Sequence, residues 1–266
     1  MSQDEYAFQN TQDQSELNRL RSIEAIFYPA TRRRILSAGL KSGSQCLEIG
    51  AGAGSIMTWM AGEAGSSGTV TAIDLNTRFL NDTASNVRVL AGDIRSIPLG
   101  SELFDLIHAR YVLVHIPEAQ TVLERLWSFL KPGGSLVIEE PDFSVFRTLD
   151  GADKEVQSFD KVHRAIIHMY SSKGLDHALG ARLPALFRKL GVKGLVIEND
   201  SPISQGGAGV ATMMSMSAAQ LKEKYLATGE ATAHDIENYG KFTRSQDSWA
   251  IYYATIAAIG KKQAVA

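Results

Sequence analysis

The chain has 266 residues, 44% of them hydrophobic and 21% charged, which is the composition of a folded globular protein and not of a disordered chain. Its 27 basic and 29 acidic side chains leave a net charge of −2, with no general attraction for phosphate backbones, so nucleic acid is not an expected partner. Cys46 is the single cysteine, which excludes an internal disulfide, and the six histidines show no metal-ligand spacing. No long apolar span or cationic leader is evident, so no membrane contact is expected and the expected location is cytoplasmic.

Residues 1–14 are polar apart from Tyr6 and Phe8, and read either as a lid that folds down or as a frayed end. Leu17, Leu20, Ile23, Ile26 and Phe27 recur at helical spacing, and a second helix is expected over about 31–39, ending at Gly39. Arg32-Arg33-Arg34 lies in that helix, where consecutive side chains point in different directions; a solvated face is expected.

Strands and helices then alternate from 45 to 139, an order that demands a mostly parallel sheet with helices on both faces. The apolar run Gln45-Cys46-Leu47-Glu48-Ile49 is a first strand, in which Cys46 is expected as a buried thiol. It leads into Gly50, Gly52 and Gly54, and a helix starts at Ser55. Such glycines let backbone N–H groups approach a ligand, and the helix N-terminus adds unpaired donors. Glu48 would repel a pyrophosphate and attract a cationic amino-acid group. A dinucleotide fingerprint would also place its third glycine where Ser55 stands. Thr69–Ile73 is a β-branched strand ending in Asp74, an acid placed to accept hydrogen bonds from ribose hydroxyls. Val87–Leu90 followed by Gly92-Asp93-Ile94, Phe104–Arg110, a helix over Pro117–Leu130, and Lys131–Glu139 complete the series.

Beyond residue 141 the pattern changes. Helices are expected at 153–170, 176–190, 211–226 and 234–242, a strand at 193–198, a loop at 201–209, and one last strand over the apolar run Trp249–Ile259.

Over about residues 31–140 this ordered set, with the string Leu130-Lys131-Pro132-Gly133-Gly134 before the fifth strand, resembles the class I S-adenosylmethionine-dependent methyltransferases of small-molecule type. The resemblance implies an α/β fold: a seven-stranded, mostly parallel, doubly wound Rossmann-like sheet whose last two strands form an antiparallel edge. Residues 1–30 would be an N-terminal tail and helix acting as a lid. Residues 31–266 would be the catalytic domain, with helical cap insertions at about 141–190 and 201–245 that shape the acceptor pocket. The implied cofactor is S-adenosylmethionine, leaving as S-adenosylhomocysteine. It would be held by Glu48, Gly50, Ala51, Gly52 and Gly54, by Asp74 and Leu75, by Gly92, Asp93 and Ile94 at the adenine, and by Arg110, Tyr111 and His115 near the methionine part. His115 is also the candidate catalytic base, the alternative being a residue at a helix start that only packs or touches the cofactor. Tyr6, Glu140, Asp142, Phe143 and His163 are candidate acceptor contacts, although His163 on an apolar helix stripe fits a satisfied core histidine better than a base.

The Asn/Asp-Pro-Pro-aromatic signature of amino-methylating nucleic acid enzymes is replaced by His108-Ala109-Arg110-Tyr111, and no magnesium-binding acid cluster is evident. The expected partner is therefore a small organic acceptor, such as a secondary-metabolite intermediate, methylated without a metal at O, N or C; a homo-oligomer is allowed. Two other readings stand beside this one: a protein that binds the cofactor without methylating, and an NAD-dependent oxidoreductase.

Overall fold

The computed structural model describes residues 13–80 and 84–264. In chain order the helices and strands are α1 (Asp13–Ser37), β1 (Gln45–Ile49), α2 (Ser55–Ala64), β2 (Thr69–Asp74), β3 (Val87–Ala91), β4 (Phe104–Arg110), α3 (Ala119–Phe129) and β5 (Leu130–Asp142). They continue with β6 (Arg147–Asp150), α4 (Asp153–Ser171), α5 (Leu179–Lys189), β7 (Lys193–Asp200), β8 (Ser204–Gln205), α6 (Gly209–Gln220), α7 (Lys222–Leu226), α8 (Ala233–Phe242), β9 (Trp249–Ile251) and β10 (Ala254–Lys261). The chain divides into two compact units. One is built on Phe27–Glu140, Ala181–Glu198 and the chain from Ile256, the other on the chain up to Ile26, Pro141–Gly180 and Asn199–Thr255.

The first unit holds a seven-stranded sheet in the order β3-β2-β1-β4-β5-β10-β7. β1 to β5 pair in parallel. Gly133 N–H donates to the Lys262 carbonyl at 2.9 Å and Lys262 N–H to that of Gly134 at 2.8 Å, joining the start of β5 to the residue after β10, so β10 runs antiparallel. Strand order reverses between β1 and β4, and the crevice outside the carboxyl ends at such a reversal is where α/β sheets bind ligands. The central strands are covered on both faces, which is why they read as apolar runs. Cys46 in β1 is fully buried, and burial pushes its thiol pKa up to about 12, with Asp105 and Glu48 adding to the shift.

Four expectations need correction. The two N-terminal helices are one, α1, which runs through Pro29. A proline inside a helix costs about 3 kcal/mol, and here Phe27, Thr31, Arg34 and Ile35 form a fully covered stripe on either side of it that offsets the loss. Arg34 is thus not on a solvated face; only Arg33, 61% exposed, fits that reading well. The run Trp249–Ile259 is two strands, β9 in a small second sheet and β10 in the large one. The segment 211–226 breaks at Leu221 into α6 and α7.

The second unit contains the sheet β6-β9-β8 and the helices α4, α6, α7 and α8. Its core is aromatic: Phe159 of α4 lies 5.0 Å from Phe242 and 5.3 Å from Tyr252 between ring centroids. His163 is sealed in the same cluster, stacked on Phe159 at 4.1 Å and Phe146 at 4.8 Å, with Nδ1 donating to the Phe159 carbonyl at 3.0 Å. Burial lowers its pKa to about 4, against a smaller upward pull from the Phe159 and Tyr252 carbonyls. A histidine neutral in the fold and protonated when unfolded makes stability fall as pH drops from 6.5 towards 4, by up to about 3 kcal/mol. Denaturant titrations across that window should show this slope, and His163→Phe should flatten it. An equally steep slope in the variant would place the titrating group elsewhere. Among the described residues no helix is long and apolar enough to cross a membrane.

Candidate functional site

The glycine loop after β1 follows a left-handed course at Gly50, Gly52 and Gly54, with φ of 69°, 59° and 88°. At Gly50 the glycine is also sterically required, since a Cβ would collide with Cγ2 of Val112 in the loop after β4. Asp74 ties the neighbouring loops together. Its Oδ2 accepts the Gly52 N–H at 3.0 Å, its Oδ1 accepts that of Asn76 at 2.9 Å, and its carbonyl accepts that of Gly92 at 3.0 Å. Leu75 is 50% exposed and Ala51 is buried. Asp93 accepts the Arg95 N–H at 2.8 Å and pairs with its guanidinium at 2.8 Å. Buried Ile94 is fixed through its carbonyl by Nε of Arg125 at 2.9 Å. Arg95 and Arg125 were not singled out from the sequence; nothing in their spacing marks them.

The segment after β4 is held as firmly. Tyr111 has φ of +57°, a backbone region costing about 1–3 kcal/mol for a residue with a side chain. Its N–H donates to the Glu139 carbonyl at 2.9 Å, and its ring meets Phe27 edge-on at 5.4 Å. Arg110 Nη1 donates to Thr31 Oγ1 of α1 at 2.9 Å. Alternation along β5 sends Glu139 and Glu140 to opposite faces. Glu140, fully buried, accepts N–H bonds from Val112 (3.1 Å) and Leu113 (2.8 Å) on Oε1 and from Val114 (3.1 Å) on Oε2. Burial pushes its pKa up to about 8, opposed by those three donors. Both carboxylate oxygens are therefore engaged by the backbone, where the sequence suggested an acceptor contact. The 3₁₀ turn so capped is Leu113–His115, which places His115, 8% exposed, at its end.

On the opposite face lies a buried chain of charges that the sequence did not reveal. Glu48 and His108 are register partners on β1 and β4. His108 Nδ1 stands 3.7 Å from Glu48 Oε1 and its Nε2 3.3 Å from Glu139 Oε1. Glu139 Oε2 pairs with Arg34 Nη1 at 2.7 Å, and Arg34 Nε with Glu198 at 3.0 Å; Arg33 closes the chain on Glu198. Burial alone would lower the His108 pKa, but the two carboxylates hold it above 6.5. Burial likewise opposes ionisation of Glu139, and His108, Arg110 and Arg34 bring its pKa down to about 2. A histidine in a strand otherwise read as apolar was the available signal, since a polar group buried on both sides must find a partner.

The other candidates lie in the second unit or outside the described residues. Asp142 caps a 3₁₀ turn, with Oδ1 accepting from Ser144 N at 2.9 Å and Ser144 Oγ at 2.6 Å. Phe143 packs on Tyr170 and Tyr253 at 5.4 and 5.3 Å. His163 sits inside the aromatic core, with no open face for an acceptor. Tyr6, with the tail proposed as a lid, falls outside the described residues.

Residues 47–138, from β1 into β5, match the family model of a methyltransferase domain. A methyltransferase of Strobilurus tenacellus, str3, is 33% identical over 111 residues, 41% of this chain and 38% of the relative. A demethylmenaquinone methyltransferase of Staphylococcus aureus is 29% identical over 153 residues, 53% of this chain and 63% of the relative. The matches thus span less than two thirds of the length of these curated relatives. Among solved structures, the phosphoethanolamine N-methyltransferase 2 of Haemonchus contortus superposes with a TM-score of 0.59 at 17% identity, covering 92% of this chain and 57% of that one. Residues 47–138 are thus similar to a methyltransferase domain, and the seven-stranded, mostly parallel sheet is the fold of the solved methyltransferase structure it superposes on.

Proposed function

We propose that the protein transfers the methyl group of S-adenosylmethionine to a small organic acceptor. The observation that carries this reading is the Gly50–Gly54 loop, left-handed at its three glycines, preceded by Glu48 and locked to Asp74. The acids Glu48 and Asp74 flank the loop, which suits a cationic amino acid and a neutral ribose better than a pyrophosphate. The relative named for demethylmenaquinone supports a small-molecule acceptor. We place the acceptor among biosynthetic intermediates of secondary metabolism and the reaction in the cytoplasm.

The cofactor supplies a methyl group on a sulfonium, already a strong electrophile. When bound, the cofactor would supply its methyl group to the acceptor's lone pair, the carbon–sulfur pair remaining on sulfur as a thioether. The chain's task is to hold both partners in line, worth on the order of 7–11 kcal/mol. Glu48 would hold the amino-acid end, Asp74 the ribose hydroxyls and Asp93 the adenine edge. His115, at the end of the turn that Glu140 organises, takes the acceptor's proton where there is one to lose.

Asp74→Ala should weaken S-adenosylhomocysteine binding by roughly 1.5–3 kcal/mol, since it removes charge-assisted hydrogen bonds to ribose and the tie to Gly52. Calorimetry giving an unchanged affinity would remove Asp74 from the site. Transfer itself is tested by incubating the protein with S-adenosylmethionine and a panel of phenols, amines and acidic carbon acids, followed by mass spectrometry. Methylated product is expected. Binding of S-adenosylhomocysteine without product from any acceptor class would leave a cofactor-binding protein that does not methylate.

A further inference from the structure

We propose that His108 is a positioning residue for the cofactor, bridging Glu48 to Glu139 so that the Glu48 carboxylate stays charged and aimed at the cofactor's amino-acid end. This rests on the cofactor reading above and adds a residue to it. Glu48 and His108 are in register on adjacent parallel strands, so their side chains share one face. Glu139 lies two residues beyond Val137, the register partner of His108 on β5, and shares that face too. The three side chains are 5%, 1% and 0% exposed.

A carboxylate in such a place neutralises itself unless a cation stands near, and a neutral Glu48 would give up its attraction for an ammonium group. Among the described residues, His108 is a cation that faces it, at 3.7 Å. The imidazole is held in turn by Glu139 of β5, Glu139 by Arg34 of α1 with Arg110 of β4 nearby, and Arg34 by Glu198 of β7. The raised pKa of His108 agrees with this geometry, because both carboxylates favour the protonated ring over the cost of its burial. Imidazole suits the position because its two nitrogens can face two acids on opposite sides.

The test is calorimetry on the full chain with two ligands, S-adenosylhomocysteine and 5′-methylthioadenosine, which keeps the nucleoside and sulfur but lacks the amino-acid end. His108→Phe should weaken S-adenosylhomocysteine binding roughly tenfold or more, while 5′-methylthioadenosine stays within about twofold of wild type. His108→Gln keeps an N–H that can reach one acid, and should recover part of the loss; it also serves if the phenylalanine variant does not fold. Equal loss for both ligands, or no loss for either, would overturn the proposal and leave His108 a structural residue. Absence of S-adenosylhomocysteine binding in the wild type would overturn the cofactor reading itself, and is visible before any variant is made.

Discussion

Arg34→Met is expected to lower the unfolding free energy by about 3–5 kcal/mol, the cost of breaking a buried ion pair by removing one partner. Arg34 is fully buried and holds Glu139 at 2.7 Å and Glu198 at 3.0 Å. Glu198 keeps Arg33 at the surface, but fully buried Glu139 is left with His108 as its nearest cation. The pH dependence follows from Glu139. Its pKa is about 2 in the fold against 4.5 ordinarily, so its stabilising contribution is present above 4.5 and lost as pH falls towards 2. Arg34→Met should make that acid loss shallower while lowering stability near neutrality. Adding Glu139→Gln should restore part of the stability, because it removes the stranded charge. Urea titrations at several pH values read all three effects. A single variant within about 1 kcal/mol of wild type would mean that the charge chain does not contribute to the fold.

His115→Ala is expected to lower turnover by about 10²–10⁴-fold with cofactor affinity nearly intact, the range for losing a positioned general base. The turn that carries His115 is fixed through its backbone. Glu140 collects the N–H groups of Val112, Leu113 and Val114, and so fixes the turn that ends in His115. Gly50 lets Val112 pack against the glycine loop, so the turn and the loop are set together. Single-turnover kinetics with the best acceptor, alongside calorimetry, separate the outcomes. A loss of tenfold or less would assign His115 to positioning, with proximity alone supplying the rate. A large loss of cofactor affinity would make it a cofactor contact.

Much of the sheet was legible because each strand ended in a residue of distinct chemistry. Glu48 with Gly50, Asp74, and Gly92 with Asp93 mark strand ends by composition, and β1, β2 and β4 begin and end where the sequence placed them. What the sequence did not show is which side of an element faces inward when tertiary packing decides it. Arg32, Arg33 and Arg34 are chemically alike, and only the packing of α1 distinguishes the wholly buried Arg34. The run Trp249–Ile259 is apolar throughout, and apolar character does not change where a chain leaves one sheet for another. The single helix α1 runs on through Pro29 because the buried stripe flanking it outweighs a single lost hydrogen bond, which helical periodicity alone does not show. Glu140 was expected to meet an acceptor because the backbone donors it serves lie 26 to 28 residues earlier, beyond any local pattern.

Whether the glycine loop and its acids receive an adenosyl amino acid is settled by titrating the wild-type chain with S-adenosylhomocysteine and with NAD in a calorimeter. Saturable binding of S-adenosylhomocysteine is expected, with none, or far weaker binding, of NAD. Tight NAD binding with no response to S-adenosylhomocysteine would contradict it.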